Sequence, residues 1–352
     1  MKIGILTFHD TTNFGSLLQT YGLYKAITNF GYDCDVIDYE CPEITKREIP
    51  KPFKFSLNPK NLAKELFYTR KLRKKYLELS RFLHSHMNLS PRYTTETIKK
   101  CEDSYDRIII GSDIVWGLDI TNGDLTYFLD FVKDNSKKYA FSASIGSGWS
   151  TEEKELLCPL LQDFKHIAVR EEQAVKWVKE SSGVDAQLVC DPTMLLSGEE
   201  WAGIASDKYN KDKYILVYFD TNNKDCLRKA KEIAQKNNLK VKLINYGLPV
   251  KGVECVAPLS LEDFLALIKN ATFVVTASYH GLLFSLYFER EVIYFNRAHK
   301  SRMESLGMRL GISNRNGAKG STFQKMSYEI INKKIEEFRN DSLCILKSML
   351  HD

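Results

Sequence analysis

The sequence predicts an α/β protein built from two doubly wound domains. Three observations carry this prediction. The chain has 352 residues, about twice the usual domain length of about 150. Short, nearly unbroken apolar segments alternate with helical ones, as in parallel sheets covered by helices. A polar stretch over 197–213 separates this alternation into two series and is the best candidate for a linker.

The first series opens with a strand over 2–8, a polar loop and a helix, and a second strand over 34–39 completes a βαβ unit. Residues 41–60 hold four prolines and no lasting periodicity, and a basic helix follows over about 60–87, so 42–100 reads as an excursion from the sheet. Further elements of this series are strands at 105–111, 137–146, 166–171 and 186–192 and helices near 152–163 and 172–181.

The second series follows the polar stretch. It comprises strands at 214–219, 240–245, 272–277 and 291–295 and helices near 224–237, 260–270, 281–289, 300–311 and 325–350. We therefore expect a first domain over 1–200, a second over 210–325, and a final helix over 326–352 that packs back on the first domain. Ligands of such domains bind where the loops leave the carboxyl ends of the strands.

Composition limits the class of protein and its location. Hydrophobic residues make up 43% and charged residues 27%, which excludes a disordered or collagen-like chain. No apolar stretch approaches the roughly 20 residues of a membrane span, and the first residues are too short an apolar run for a signal peptide, so we expect a cytoplasmic protein. Eight cysteines without a CxxC pair give no reason to expect disulfides, structural zinc or another metal site.

Charge is unevenly distributed along the chain. The formal net charge is +5, but residues 42–92 hold 13 Lys and Arg against four Glu, which makes that segment +9 and the remainder −4. The basic segment is either a solvated helix face or a surface that docks peripherally on the anionic inner face of a membrane. No nucleic-acid-binding motif accompanies it, so we expect no nucleic-acid partner.

Two loops of the first series carry candidate residues. After the first strand, Asn13 either caps the next helix, with Gly15 allowing a tight turn, or faces an anion or sugar hydroxyls. After the strand that ends at Ile110, Ser112 and Asp113 can orient a hydroxyl, and Trp116 offers a stacking surface for a sugar; the alternative is a capping Asp and a core Trp. Neither GxGxxG nor a P-loop occurs, so a standard nucleotide site has no support.

Two further strand ends carry charged residues. Arg170 either lies on the rim of the predicted cleft and binds a carboxylate or phosphate, or pairs with Glu171 or Glu172. Asp191 most simply caps the turn that follows its strand.

The second series contains the most informative segment, FVVTASYHGLLFSLYFE over 273–289. Its strand runs to Thr276, and Gly281 lets the backbone turn tightly into an apolar helix. His280 therefore lies at a helix N-terminus, where the dipole favours a bound anion and a neutral imidazole that can transfer protons. A lone histidine is more often structural, and here the strand–His–Gly–helix context favours catalysis.

Taken together, these segments resemble the polysaccharide pyruvyl transferase family. The matching segments are 2–27, 108–116, 141–146, 168–175, 191–196, 276–288 and 301–312. The resemblance implies a GT-B-like fold, two Rossmann-like domains facing across a cleft. It also implies transfer of a pyruvyl group from phosphoenolpyruvate, as co-substrate and without a cofactor, to two hydroxyls of a saccharide acceptor, either free or lipid-linked.

The resemblance also implies roles for single residues. His280 transfers protons, Asp113 handles an acceptor hydroxyl and Arg170 binds the donor, so the three are expected to converge on one doubly anionic molecule. Some family members have an arginine two residues before the histidine, where this chain has Ser278. Arg297, Lys300 or Arg302 is expected to supply that charge instead. The alternatives are a nucleotide-sugar glycosyltransferase and a catalytically silent saccharide-binding protein.

Overall fold

The computed structural model describes residues 1–51, 57–296, 300–319 and 325–351. Its strands are β1 (Lys2–Leu6), β2 (Asp33–Val36), β3 (Arg107–Ile110), β4 (Lys138–Ala143), β5 (His166–Val169), β6 (Gln187–Leu188), β7 (Tyr214–Tyr218), β8 (Lys240–Ile244), β9 (Glu254–Val256), β10 (Phe273–Thr276) and β11 (Glu291–Tyr294). Its helices are α1 (Phe14–Asn29), α2 (Pro42–Glu48), α3 (Pro59–Lys64), α4 (Arg70–His86), α5 (Leu118–Thr121), α6 (Thr151–Gln162), α7 (Glu172–Ser182), α8 (Gly198–Ile204), α9 (Asp225–Asn237), α10 (Leu261–Lys269), α11 (Tyr279–Tyr287), α12 (Lys300–Arg309) and α13 (Tyr328–His351).

The chain forms two compact units, each with its own parallel sheet. The first unit consists of 1–49, 83–196 and 335–352, and the second of 50–82 and 197–334. The first sheet has the strand order β2-β1-β3-β4-β5-β6 and the second β11-β10-β7-β8-β9. Every strand pair is parallel. This architecture confirms the predicted fold class of two doubly wound α/β domains.

The predicted strands are all present, and most of them are apolar runs buried on both faces of their sheet, although β6 and β8 are partly exposed. In β1, every residue after Lys2 is buried, and Ile3 pairs with Cys34 of β2 and Arg107 of β3. The sequence prediction missed β9, a three-residue strand at the edge of the second sheet. Such a strand is too short to show periodicity.

Two segments differ from expectation. The predicted linker over 197–213 contains α8, which begins with a capping box formed by Ser197 and Glu200. Trp201 of α8 is fully buried and meets Phe284 edge-on, with ring centroids 5.1 Å apart, so the segment is part of the second unit. The excursion also contains α2, which starts with Pro42 at its first turn.

The basic helix expected over 60–87 is present as α3, a π-helical turn over Glu65–Thr69 and α4 in direct succession. Residues 50–82 group with the second unit, whereas the sequence predicts them within an excursion from the first domain.

The last part of α13 packs on the first unit. Arg339 Nε donates to the Met194 carbonyl at 2.6 Å, and Ser342 Oγ accepts from the Cys190 amide at 2.9 Å. Burial raises the pKa of the Cys190 thiol to about 12, so it stays protonated at neutral pH. Among the described residues, no helix combines the length and apolarity needed to cross a bilayer.

Candidate functional site

The strand order places a switch point in the first sheet between β1 and β3. The chain leaves β1 towards β2 on one side, whereas β3 and its successors lie on the other side. In doubly wound sheets, ligands bind where the loops diverge at such a point. The loop after β1, which carries Asn13 and leads to Gly15 in α1, and the loop after β3, which carries Ser112 and Asp113, both leave the sheet here.

The loop after β1 ends in a capped helix. Asn13 is exposed and its Oδ1 accepts from the Gly15 amide at 2.9 Å, which confirms the capping interpretation. Gly15 is buried in the first turn of α1. One residue further on, Ser16 Oγ donates to Asp113 Oδ2, so the start of α1 is joined to the loop after β3 at the switch point.

Asp113 has an unusual backbone. Its φ is 78°, in the left-handed region that residues with a Cβ rarely occupy. Its Oδ1 accepts from the Ile114 amide at 2.8 Å, while Oδ2 accepts from Ser16. Asp113 is partly exposed, and these two hydrogen bonds orient its carboxylate. Strained residues of this kind concentrate at functional sites.

Trp116 is a core residue, and the stacking role expected for it is contradicted. Its side chain is fully buried, it stacks on Phe128 with ring centroids 5.4 Å apart, and its Nε1 donates to the Tyr127 carbonyl at 2.8 Å. A ring with both faces covered offers no surface to a sugar.

Arg170 lies in the interior, and the expectation that it lies on a rim is wrong. Its side chain is 1% exposed; Nη1 donates to Asp191 Oδ2 at 2.7 Å and Nε to Glu171 Oε1 at 3.3 Å. The alternative pairing with Glu171 is therefore confirmed. Nη1 also donates to Ser112 Oγ at 3.1 Å. Asp191 keeps its capping role, because Oδ1 accepts from the Thr193 amide at 2.9 Å.

The second sheet has its own switch point, between β7 and β10. His280 follows β10 there and is the second residue of α11, which confirms its predicted position at a helix N-terminus. The cap of this helix is Ser278, whose Oγ accepts from the Gly281 amide at 3.2 Å.

Gly281 is required by close packing, whereas the sequence suggested a tight turn. It is not among the described residues with positive φ. A Cβ at this position would lie 2.5 Å from Thr276 Oγ1 and 2.9 Å from Tyr218 Cδ1. The glycine thus lets the first turn of α11 lie directly against the ends of β10 and β7.

An aromatic ring contacts His280, and a cationic group lies over that ring. The Tyr279 ring meets the imidazole edge-on, with centroids 5.5 Å apart, and the Arg302 guanidinium lies over the Tyr279 ring at 6.0 Å. Arg302 is thus next to this helix N-terminus, whereas Arg297 lies outside the described residues. Tyr279 could not be recognised from the sequence, because a tyrosine at a helix start carries no spacing signal.

Two more residues at the second switch point carry no signal that the sequence pattern reveals. Phe219 follows β7 with φ 51° and is 45% exposed, which is uncommon for a large aromatic side chain at a strand end. Asp220 caps α9 by accepting from the Cys226 and Leu227 amides at 2.8 and 3.2 Å. The amides at the start of α9 are therefore used within the protein.

A buried histidine in the first unit was also missed. His9 is 4% exposed; its Nδ1 lies 3.1 Å from the Thr7 carbonyl and its Nε2 3.1 Å from Asp38 Oδ1. Both neighbouring oxygens accept hydrogen bonds, so each of the two ring nitrogens faces an acceptor. Burial raises the pKa of the Asp38 carboxyl, but the bond from His9 and the nearby Arg92 outweigh this, so the pKa is lowered overall.

Comparison with known proteins decides the family. The model of the polysaccharide pyruvyl transferase family matches residues 13–299, well over half of the chain. The chain belongs to this family. The matched region of this family member holds the candidate positions from Asn13 to Arg297, and Arg302 lies just beyond it.

No curated protein matches this family member significantly in sequence. Among solved structures, it is similar to the UDP-GlcNAc 2-epimerase of Methanocaldococcus jannaschii in complex with UDP-GlcNAc and UDP, with 13% identity, all of both chains covered and a TM-score of 0.47. The UDP-GlcNAc 2-epimerase of Neisseria meningitidis has 10% identity, 99% of each chain covered and a TM-score of 0.48. An E. coli heptosyltransferase has 14% identity, 96% of this chain and all of its own covered, and a TM-score of 0.40.

Proposed function

We propose that this pyruvyl transferase family member moves a pyruvyl group from phosphoenolpyruvate to two hydroxyls of one sugar in a polysaccharide or glycolipid precursor. The methylene carbon of the donor gains a proton, and the first sugar hydroxyl adds to the cationic carbon with loss of its own proton. Phosphate leaves with the electrons of its C–O bond to this carbon, and the second hydroxyl then adds to the carbon, loses its proton and closes the cyclic ketal. The observation that carries this proposal is the family match over 13–299, which includes His280 at the N-terminus of α11.

The donor is a doubly anionic small molecule, and the start of α11 supplies two means of binding it. Helix N-termini favour anions through the dipole and their backbone N–H groups. Arg302 adds a positive charge beside Tyr279, which supports the expectation that it compensates for Ser278. Arg297 remains a further candidate for this role.

The proton transfers are assigned to two side chains. His280 gives a proton to the donor carbon and recovers one in the later step, for which an imidazole is suited near neutral pH. Asp113 accepts the proton of the attacking hydroxyl, because its carboxylate is oriented by Ser16 and partly exposed. No redox step occurs, so the reaction needs no redox cofactor.

Mass spectrometry of candidate glycans incubated with the protein and phosphoenolpyruvate tests the proposal. The product should be heavier by one ketal-linked pyruvyl group, and phosphate should appear in equal amount. His280→Ala should lower the rate by about 10²-fold or more, as for a lost general acid–base. The control is His86→Ala, which changes an exposed histidine at the end of α4.

Different outcomes identify the alternatives. Release of a nucleoside diphosphate from a sugar nucleotide, with no reaction of phosphoenolpyruvate, would identify a glycosyltransferase instead. Saccharide binding without turnover, unchanged by His280→Ala, would identify a silent member of the family.

We also propose that α4 contacts an anionic membrane, where a lipid-linked acceptor would be presented. One face of this helix exposes Arg70, Lys74, Leu77 and Arg81 at spacings of three and four residues. Leu77 is 60% exposed among these cations, as in helices that lie at a membrane interface.

Two neighbouring cations do not belong to this face. Lys75 is buried, with its Nζ 4.7 Å from the Tyr246 ring centroid. Arg73 Nε donates to the Lys51 carbonyl at 2.9 Å. The membrane test therefore uses the exposed set.

Sedimentation with anionic phospholipid vesicles measures this contact. Each surface cation contributes about 1 kcal/mol, so Gln at Arg70, Lys74 and Arg81 should weaken binding by about 10²-fold. Gln at three exposed lysines elsewhere, Lys99, Lys133 and Lys176, is the control with the same charge change. Equal binding of both triple variants would refute the membrane proposal.

A further inference from the structure

The turn that carries Asp113 is held from the interior of the first unit. Ser112 is fully buried; its carbonyl accepts from Thr7 Oγ1 at 2.6 Å and its Oγ from Arg170 Nη1 at 3.1 Å. Ser142, in the irregular part of β4, adds a weaker contact to the same Oγ at 3.4 Å. Both the carbonyl and the hydroxyl of Ser112 are thus hydrogen-bonded, and Ser112 immediately precedes the strained Asp113.

The guanidinium that bonds Ser112 is itself fixed. Arg170 is held by Asp191 at 2.7 Å and by Glu171 at 3.3 Å, and all three side chains are at most 5% exposed. Asp191 also accepts from the Thr193 hydroxyl at 2.7 Å, and Glu171 from the Ser144 hydroxyl at 2.6 Å. A guanidinium that is already paired with two carboxylates has little freedom to move towards a ligand.

We infer that Arg170 is a positioning residue: through Ser112 it holds the 111–113 turn so that Asp113 keeps its left-handed backbone and presents its carboxylate to the acceptor hydroxyl. This inference rests on the proposed function for the role of Asp113. Residues in such a conformation persist only where the surrounding structure fixes them. A hydrogen bond from a charged donor is about twice as strong as a neutral one, which suits this task.

The inference separates two roles of Arg170 that kinetics can distinguish. An arginine that binds the donor would raise the KM for phosphoenolpyruvate when replaced. Replacing an arginine that holds the turn would lower kcat and leave the KM for phosphoenolpyruvate unchanged, because only the alignment of Asp113 would be disturbed. The hydroxyl of Ser112 would then matter as much as the guanidinium that bonds it.

Steady-state kinetics of Ser112→Ala, Arg170→Lys and the double variant tests this distinction. Ser112→Ala should lower kcat about tenfold, the effect of one lost hydrogen bond to a charged group, with the KM for phosphoenolpyruvate within twofold. The double variant should be no slower than the slower single variant, because both changes break the same bond. The control is Ser182→Ala, which removes a buried hydroxyl of α7 that bonds the Val178 carbonyl and should leave kcat unchanged.

Losses that multiply in the double variant, or a tenfold rise in that KM, would overturn the inference. Crystal structures of wild type and Ser112→Ala supply a readout that does not depend on turnover. The backbone of Asp113 should leave the left-handed region in the variant, whereas in the wild type it should remain in that region. An unchanged turn would overturn the positioning role even if pyruvyl transfer is confirmed, whereas absence of transfer by the wild type would refute the proposed function alone.

Discussion

Replacing Gly281 with alanine should destabilise the second unit although alanine favours helices. The added Cβ would lie 2.5 Å from Thr276 Oγ1 and 2.9 Å from Tyr218 Cδ1. Neither atom can move away easily: Thr276 Oγ1 donates to the Tyr218 carbonyl and accepts from the Ser278 amide at 3.0 Å, and Tyr218 packs against Phe264 with ring centroids 4.9 Å apart. The first turn of α11 must therefore shift.

The size of the effect follows from two opposing terms. Overpacking of this kind costs about 1–3 kcal/mol, and two contacts below 3.0 Å place this site near the upper end. The helix propensity of alanine returns about 0.5–1 kcal/mol. The net loss should be about 2 kcal/mol, which lowers the Tm of a unit of this size by about 4–8 °C.

Gly203→Ala is the matched control, and calorimetry is the assay. A Cβ at Gly203 meets nothing within 4 Å in α8, so only the propensity gain remains and the Tm should stay equal or rise slightly. If Gly281→Ala melts at or above the wild type while Gly203→Ala behaves as expected, close packing is not what requires glycine at position 281. Because His280 precedes it directly, the variant should also lose pyruvyl transfer.

Two further predictions concern the first unit. Trp116→Ala should lower the free energy of unfolding by about 3–5 kcal/mol in urea titrations, as for a buried Trp stacked on Phe128, whereas a loss below about 0.5 kcal/mol would show that the ring is exposed. His9→Ala should raise the pH of acid unfolding followed by circular dichroism. The pKa of Asp38 is lowered in the folded protein, so this carboxylate stabilises the fold at pH values above the usual carboxyl pKa. That stability is lost as the pH falls through the lowered pKa. Loss of the His9 bond therefore moves the unfolding transition to higher pH. A transition at the wild-type pH would contradict this assignment.

Much of the fold could be predicted because parallel strands buried on both faces appear as unbroken apolar runs. The three residues of β9 and the short helices α2 and α8 lack such a signal. The sequence predicts a linker where α8 lies, because Trp201 is the only residue of this helix that is buried. Their positions depend on neighbours distant in sequence.

The sequence predicted where the candidate residues lie better than it predicted what each of them does. The sequence predicts that Asp113 and His280 follow strand ends, and the strand order of the structure places both of these ends at switch points. The burial of Arg170 depends on Asp191, 21 residues further on, and that of Trp116 on Phe128. No local pattern reports such contacts, so the sequence could only leave both roles open.

The threading of the chain through its units has a consequence for synthesis. Residues 335–351 close the first unit through Arg339 and Ser342, yet they emerge from the ribosome after all of the second unit. The first sheet therefore remains incompletely covered near Met194 and Cys190 while the second unit is synthesised and folds. Ribosome-bound nascent chains that end before residue 335 should therefore remain sensitive to protease in the first unit, and those that extend past residue 351 by the length of the exit tunnel should become resistant.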